Sequence, residues 1–259
     1  MSKNAVATVA NTSVALPPDL DVFAEFAGAG FENVTSRDML IPRLTILQAL
    51  SPQLKKQNAK YAPGSSEGDI LDTGTGELMP NPTEFLPAYF RKDYLEWAPR
   101  ESGGGLKGVH SGDEILRECR VDERRNYILP NGNIVVETGQ MFGLNLSAMG
   151  RPSFIAFTST QLRKLRQWLT LANGERIDVG GRQIQPPLFY RTYLLGTAPE
   201  GNNKGTWAGW TIGRGPVLTE RPDWRDLMAR VTEFRASLQT GSVSADTSSL
   251  DAAAQEAPL

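Results

Sequence analysis

The chain of 259 residues, of which 40% are hydrophobic and 22% charged, is long enough for one large domain or two small ones. One cysteine, Cys119, and one histidine, His110, exclude an internal disulfide and, for a monomer, a zinc site of the usual Cys/His kind. No apolar run approaches the ~20 residues that cross a bilayer, and the N-terminus lacks the cationic start and apolar core of a signal peptide. We therefore expect a cytoplasmic protein with no membrane partner.

The net charge of −2 is distributed unevenly along the chain. Residues 1–36 and residues 241–259 each carry a net charge of −3, whereas residues 37–240 carry +4. Most of the positive charge lies in residues 151–235, which hold 13 Arg and Lys against 7 Asp and Glu. Acidic ends that flank a basic body are compatible with a protein that binds a polyanion.

The first 36 residues predict a disordered arm, because small polar residues run up to Pro17–Pro18. A short helical stretch is expected around Val22–Phe26. The ordered part of the chain is expected to start near Asp38, where an apolar, β-compatible run extends to Leu47. Within that run Pro42 favours an edge strand or an extended arm, since proline cannot donate a ladder hydrogen bond.

Residues 69–158 have the pattern of a β protein, with β-branched or aromatic runs separated by clusters of Gly, Pro and Asn. The Asn131-Gly132 pair between two such runs predicts an antiparallel hairpin with a type I′ turn, because both residues tolerate a positive φ. The longer predicted strands are Asp69–Asp72, Glu84–Phe90, Tyr94–Pro99, Ile134–Leu146 and Pro152–Thr158.

Two helices and a second hairpin are predicted in the C-terminal half. Residues 159–172 form an amphipathic helix with a basic outer face, which Ser159 or Thr160 can cap. The runs Leu188–Gly196 and Gly205–Ile212 predict the hairpin. A last helix runs from about Pro222 to Leu238 and ends at Gly241. The apolar stripe of the first helix is Leu162, Leu165, Leu169 and Ala172, and that of the second is Trp224, Leu227, Met228, Val231, Phe234 and Leu238.

These elements predict a mainly β (α+β) protein, because strands dominate and no βαβ alternation or internal repeat is found. We expect an antiparallel barrel like the oligonucleotide-binding (OB) fold, enlarged by loops, with two peripheral amphipathic helices and disordered termini. The expected organisation is a disordered N-terminal arm over 1–36, one nucleic-acid-binding domain over 37–240 and a disordered acidic tail over 241–259.

Aromatic and basic residues interleave in three segments, 89–97, 189–193 and 204–210. Proteins hold single strands by stacking rings on bases, at roughly 1–3 kcal/mol per base, and by placing cations along the phosphates. The alternative for each ring is a place in the core. Trp207 and Trp210 are three residues apart, so in a strand they point to opposite faces and one is expected to be exposed or at a bulge.

Further cations come from the helix over 159–172 and from the Gly103–Gly105 loop, which we expect to be mobile and able to close over a bound strand. The alternative for the helix residues is an ordinary solvated surface. The predicted nucleic-acid-binding residues are Tyr89, Arg91, Lys92, Tyr94, Trp97, Lys107, Arg163, Lys164, Arg166, Arg191, Tyr193, Lys204, Trp207 and Trp210.

Catalysis, metal binding and a cofactor are not predicted. Asp93 and Glu96, or a second acidic set, could bind Mg²⁺ as the carboxylates of a nuclease do. Nothing in the sequence fixes the distance between these carboxylates, so we expect them to be ordinary solvated side chains. The second set is Asp113, Glu114 and Glu118. His110 has no assigned partner for a role as a base. The tail over 241–259 is expected to lie over the basic groove or to dock partner proteins; the alternative is an end without function.

Several segments resemble a family of tailed-bacteriophage proteins of replication and recombination modules, with the role of single-stranded DNA binding. The resemblance covers about 38–240 and implies an OB-type barrel and an acidic tail that contacts phage or host polymerase or helicase. The tail here is much less acidic than in those proteins. The segments are Asp38–Gln53, Gly68–Ile70, Tyr94–Arg100, Gly103–Gly105, Leu129–Thr138 and Asn202–Trp210.

The predicted function is therefore non-enzymatic, sequence-independent single-stranded DNA binding in phage replication or recombination, by a monomer or a homo-oligomer. The first alternative is a strand-annealing recombinase that forms rings. The second is a non-catalytic virion or host-takeover protein that binds other proteins. A nuclease is the remaining alternative and depends on the carboxylates alone.

Overall fold

The computed structural model describes residues 21–26, 28–33, 38, 40–123, 125–203, 205–241 and 244–245. Its helices are α1 (Asp21–Ala24), α2 (Leu162–Asn173) and α3 (Trp224–Gln239). Its strands are β1 (Leu40–Ile41), β2 (Leu44–Ile46), β3 (Ile70–Asp72), β4 (Leu78–Met79), β5 (Thr83–Trp97), β6 (Leu106–His110), β7 (Arg120–Val121), β8 (Tyr127–Ile128), β9 (Ile134–Asn145), β10 (Arg151–Thr158), β11 (Ile177–Val179), β12 (Arg182–Ile184), β13 (Arg191–Asn202), β14 (Gly205–Val217) and β15 (Ser244–Ala245).

The main sheet is built on two long antiparallel strands, β5 and β9, which pair from Phe85 opposite Asn145 to Trp97 opposite Ile134. At one end the order is β14-β13-β5-β9-β10, and at the other it is β6-β5-β9-β8-β7. The sequence predicted two strands where β5 is continuous. The polar residues between them do not end the strand, because Arg91 and Asp93 form an ion pair along it.

The main sheet curls, and the segment around β2 connects its two edges. The backbone of Arg43 forms an isolated parallel β-bridge with Phe154 on β10. The Gln48 amide then makes two hydrogen bonds to the Ala208 backbone on β14, one as donor at 2.9 Å and one as acceptor at 3.0 Å. This side chain completes the hydrogen bonding of β14 as a neighbouring strand would. The result is a curled antiparallel half-barrel of a mainly β protein.

The concave face of the sheet holds the larger core, where side chains of seven strands meet α2. Trp168 of α2 is fully buried there, with its ring centroid 6.2 Å from that of Phe85 and 5.1 Å from that of Tyr193. The predicted stripe of this helix included Leu165 and omitted Trp168. The prediction of a peripheral α2 is corrected, because its apolar side fills the inside of the curl.

The opposite face of the sheet is covered by α3. Successive residues of each strand alternate between the two faces, so Phe142 and Phe154 stack on the α3 side with ring centroids 5.4 Å apart. The predicted stripe of α3 is confirmed for its four buried members, Leu227, Val231, Phe234 and Leu238. Because both faces are buried, the second half of β9 shows no exposed residue.

Both predicted hairpins form, with different turns or lengths. In the first, Leu129 accepts a hydrogen bond from Gly132 and donates one to Asn133, each 2.9 Å long. This is a three-residue loop with a left-handed Gly132 (φ 87°), and it replaces the predicted two-residue turn because Pro130 suits the first corner of a type I turn. In the second, β13 and β14 pair as far as Asn202 opposite Gly205.

The chain remains in strand pairing beyond the predicted domain boundary at 240. Ser244 and Ala245 of β15 pair in parallel with Leu40 and Ile41 of β1. The arm over 1–36 and the tail over 241–259 were predicted to be disordered; residues 1–20 and 246–259 of them lie outside the described ranges. Within the arm, Asp21–Ala24 form α1, in the place where the sequence predicted a short helical stretch. Among the helices that the structure describes, none is long and apolar enough to cross a membrane.

Candidate nucleic-acid interface

Four of the predicted stacking rings lie in the core. Tyr94, Trp97, Tyr193 and Trp210 are at most 7% exposed, because each packs within an apolar cluster of the fold. Burial raises the pKa of Tyr193. A buried ring cannot stack on a base, so these four do not belong to the interface in this structure. Trp207 is half-buried on the face opposite Trp210, as the strand alternation predicted.

The Arg91 side chain makes contacts within the fold. Its Nε lies 2.8 Å from the buried Asp93 carboxylate, and its guanidinium stands 5.1 Å from the centroid of the Phe142 ring. Gln140 donates a hydrogen bond of 3.0 Å to the same carboxylate. Tyr89 lies half-buried beside these groups against the α3 side of the sheet.

Arg191 and Lys164 are also paired. The Arg191 Nε donates to the Glu175 carboxylate at 2.9 Å, and these hydrogen bonds raise the pKa of Arg191. Lys164 lies 2.7 Å from Glu200, which also accepts a hydrogen bond from the Trp207 indole. Burial raises the pKa of Glu200, but its hydrogen bonds outweigh that effect and lower the pKa overall. The first pair joins β13 to the segment that follows α2, and the second joins α2 to the β13–β14 hairpin.

The outer side of α2 carries exposed cations. Arg163 is exposed, and Arg166 is 67% exposed with Glu137 at 3.5 Å. Lys92 is exposed on β5 beside Glu137, and a hydrogen bond with Tyr94 raises its pKa. Glu137 therefore lies between Lys92 and Arg166 and places the two cations on one surface.

The β11–β12 hairpin extends this surface at the C-terminal end of α2. Asn173 accepts hydrogen bonds of 2.7 Å from Gln185 at its side chain and from Arg176 at its carbonyl. Arg214 contacts the Leu171 carbonyl at 3.5 Å. A two-glycine turn, in which Gly180 and Gly181 both have positive φ, exposes Arg182 at the tip. We define the α2 basic track as Lys92, Arg163, Arg166, Arg176, Arg182 and Arg214.

Three members of the α2 basic track, Arg176, Arg182 and Arg214, were not predicted from the sequence. The signal that was available is the Gly-Gly pair at 180–181 between two short β-compatible runs, which is typical of a two-residue hairpin. Carboxylates also lie beside these cations. Glu137 faces Arg166, and Asp178 caps the hairpin turn by accepting a 2.9 Å hydrogen bond from the Gly181 amide.

The remaining predicted cations lie elsewhere. Lys107 is exposed on β6, but β6 pairs with β5 so that His110 lies on the α2 side and Lys107 on the other. The loop Gly103–Gly105 has positive φ at all three glycines and connects β5 to β6. Lys204 lies outside the described residues.

The predicted carboxylate pair does not form a metal site. Asp93 and Glu96 are three residues apart on β5 and point to opposite faces. Glu96 accepts hydrogen bonds from Asn131 and Asn133 and lies 3.1 Å from His110. The bond from Asn133 and those from His110 and Asn131 outweigh burial and lower the pKa of Glu96. Within the described ranges, no three His, Cys, Asp or Glu side chains are grouped so as to hold a metal ion.

A protein-family model described as Pam3 phage gp34-like protein matches residues 9–243. The chain belongs to this family. The match takes in every element from α1 to α3, and therefore the whole α2 basic track. Membership of the Pam3 phage gp34-like family agrees with the phage resemblance of the sequence, and the family's description specifies no activity. Searches among curated proteins and among solved structures give no match.

Proposed function

We propose that this phage-family protein binds single-stranded DNA without sequence preference, as a non-enzymatic DNA-binding protein of phage replication or recombination. The observation that carries the proposal is the α2 basic track, in which exposed cations follow one helix and continue onto the hairpin fixed at its end. Five of its six members are arginines, which remain charged and bind phosphate oxygens in a bidentate manner.

The spacing of the track suits an extended backbone. Helix α2 has 12 residues and is about 18 Å long, and Arg163 and Arg166 lie about one turn apart on it. The hairpin with Arg176 and Arg182 prolongs this path. A strand along the track meets cations at intervals and makes contacts that do not depend on base identity.

A preference for single strands requires a ring near the cations. Trp207 is half-buried, and its indole donates to Glu200, which also binds Lys164 near the start of α2. Stacking of one base on this ring would add roughly 1–3 kcal/mol that a base within a duplex does not provide.

For the fold, we propose the OB-type barrel. The curled sheet, in which Gln48 connects the two edges, supports this assignment.

The test is fluorescence anisotropy with a labelled oligo-dT at several salt concentrations. About four phosphate contacts, each contributing a slope of about −0.7, predict an affinity loss of about 50-fold between 0.05 and 0.2 M salt. The double variant Arg163→Gln/Arg166→Gln should bind about 20-fold more weakly at 0.1 M salt and should show a shallower salt dependence.

The matched control is Arg225→Gln/Arg235→Gln, which removes two exposed arginines from α3 on the other side of the sheet. It should bind oligo-dT within about two-fold of the wild type if the track is the contact surface. Equal losses in both variants, an affinity independent of salt, or equal binding to duplex DNA would each contradict the proposal. Rapid pairing of complementary strands would favour the annealing alternative.

A further inference from the structure

The N-terminal residues 21–26 and 28–33, named here the phenylalanine arm, expose a concentrated apolar surface. Phe23, Phe26 and Phe31 are 69%, 64% and 69% exposed. The arm is locally ordered, because Phe26 donates a backbone hydrogen bond to Phe23 and Phe31 donates one to Gly28. Three large apolar side chains at this exposure within nine residues are typical of an interaction site.

A cleft of about 1060 Å³ lies between the loop over 59–63, the β3–β4 hairpin and the β9–β10 turn. We name it the β4 cleft. Met149 is 87% exposed at the cleft and Leu78 is 36% exposed. A methionine thioether adapts its shape and makes favourable contacts with aromatic rings. The cleft therefore offers a surface of the kind that phenylalanine side chains fit.

Met149 is held in position from α3. Its backbone is left-handed (φ 54°), a conformation that a residue with a side chain keeps only where its surroundings fix it. Arg230 provides this restraint by donating hydrogen bonds of 3.0 Å to the Met149 carbonyl and 2.7 Å to the Gly150 carbonyl. The exposed Met149 thioether therefore lies on a turn whose backbone is held in place by Arg230.

The charges of the two surfaces are complementary. The arm carries Glu25 and Glu32, both exposed. The β4 cleft is lined by Lys60 and by Arg151, whose guanidinium lies 3.1 Å from Asp72. Glu77, 3.8 Å from the same guanidinium, is the carboxylate that lines the cleft, and the exposed Lys55 and Lys56 precede the 59–63 loop.

We propose that the phenylalanine arm of one copy docks into the β4 cleft of a second copy, with its rings against Met149 and Leu78 and its carboxylates toward Lys60. The contact is heterologous, since arm and cleft are different surfaces, and so it repeats from copy to copy. Such repetition would align copies along one strand, the arrangement that cooperative single-strand binding needs. The docking itself does not depend on the proposed DNA binding.

The expected association is weak. A fully buried phenylalanine covers roughly 150–250 Å², so three rings that are about two-thirds exposed can add roughly 300–500 Å² of burial. Standard interfaces bury about 800 Å² per partner. We therefore expect self-association that depends on protein concentration in the micromolar range.

The test is sedimentation equilibrium of the full chain without DNA, over about 1–200 µM. The wild type should increase in mean mass with concentration. An arm variant, Phe23→Ser/Phe26→Ser, and a cleft variant, Met149→Asp, should each stay monomeric. Aspartate accepts a left-handed backbone better than most residues, so the cleft variant should keep its melting temperature. Val179→Ser/Ile184→Ser, which removes exposed apolar residues from another hairpin, should behave as the wild type.

Mixing the arm variant with the cleft variant gives the deciding measurement. One intact arm and one intact cleft remain, so the mixture should form heterodimers and grow no further. A monomeric mixture, a monomeric wild type or variants that still associate would overturn the proposal. Binding of the arm variant to an oligo-dT that accommodates one copy should be unchanged, and this readout separates a failure of docking from a failure of DNA binding.

Discussion

The fit of α2 against the sheet depends on the absence of a side chain at Gly139. A Cβ at this position would stand 2.0 Å from Leu165 Cδ2 and 3.4 Å from the Phe90 ring. The Leu165 side chain has little free space into which it can turn, because it is only 3% exposed and lies in the same core cluster as the fully buried Trp168. Gly139→Ala should therefore destabilise the fold by about 1–3 kcal/mol, the usual cost of overpacking.

A double-mutant cycle isolates the clash. Leu165→Ala alone should cost about 2–5 kcal/mol, since it leaves a cavity under α2. In the double variant the added methyl group occupies part of that cavity, so the loss should be smaller than the sum of the two single losses by about 1–2 kcal/mol. Urea unfolding followed by tryptophan fluorescence measures all three free energies of unfolding.

Gly213→Ala is the matched control, because a Cβ there meets its nearest atom, the Leu194 carbonyl oxygen, at an ordinary 3.7 Å. Its effect should be neutral or stabilising by up to about 1 kcal/mol, because alanine restricts the unfolded chain. If the losses from Gly139→Ala and Leu165→Ala simply add, or if Gly139→Ala is as mild as the control, the packing of α2 on β9 described above is wrong.

Three further predictions concern buried and terminal groups. Trp97→Ala should lower the free energy of unfolding by about 3–5 kcal/mol, while the fraction that remains folded binds oligo-dT as the wild type does. The pKa of Glu96 is lowered in the folded state. The ionised carboxylate therefore stabilises the fold above the ordinary pKa of 4.5, and this contribution is lost as the pH falls through the folded value. The difference in free energy of unfolding between the wild type and Glu96→Gln should shrink between pH 7 and pH 3 in urea titrations. Deletion of 247–259 should leave the melting temperature unchanged, whereas deletion of 242–259, which also removes the strand ending at Ala245, should lower it.

Local sequence patterns were sufficient where one element faces one neighbour. The stripe of α3 was predicted because only one side of that helix packs on the sheet, so its period of 3.6 is visible in the sequence. The second hairpin was predicted from the composition of its runs, and the opposite orientations of Trp207 and Trp210 follow from the period of two in a strand.

Only the tertiary structure decided which rings and cations are available. Tyr193 and Trp210 lie in segments that mix aromatic with basic residues, as exposed stacking rings would. The curl of the sheet nevertheless encloses them, and Trp168 enters the same space from α2. Ion pairs such as that between Lys164 and Glu200 join residues 36 positions apart. The local sequence around one residue does not predict a partner at that distance along the chain. A sequence period shows that an element has two different faces, whereas burial and pairing depend on what the folded chain places against each face.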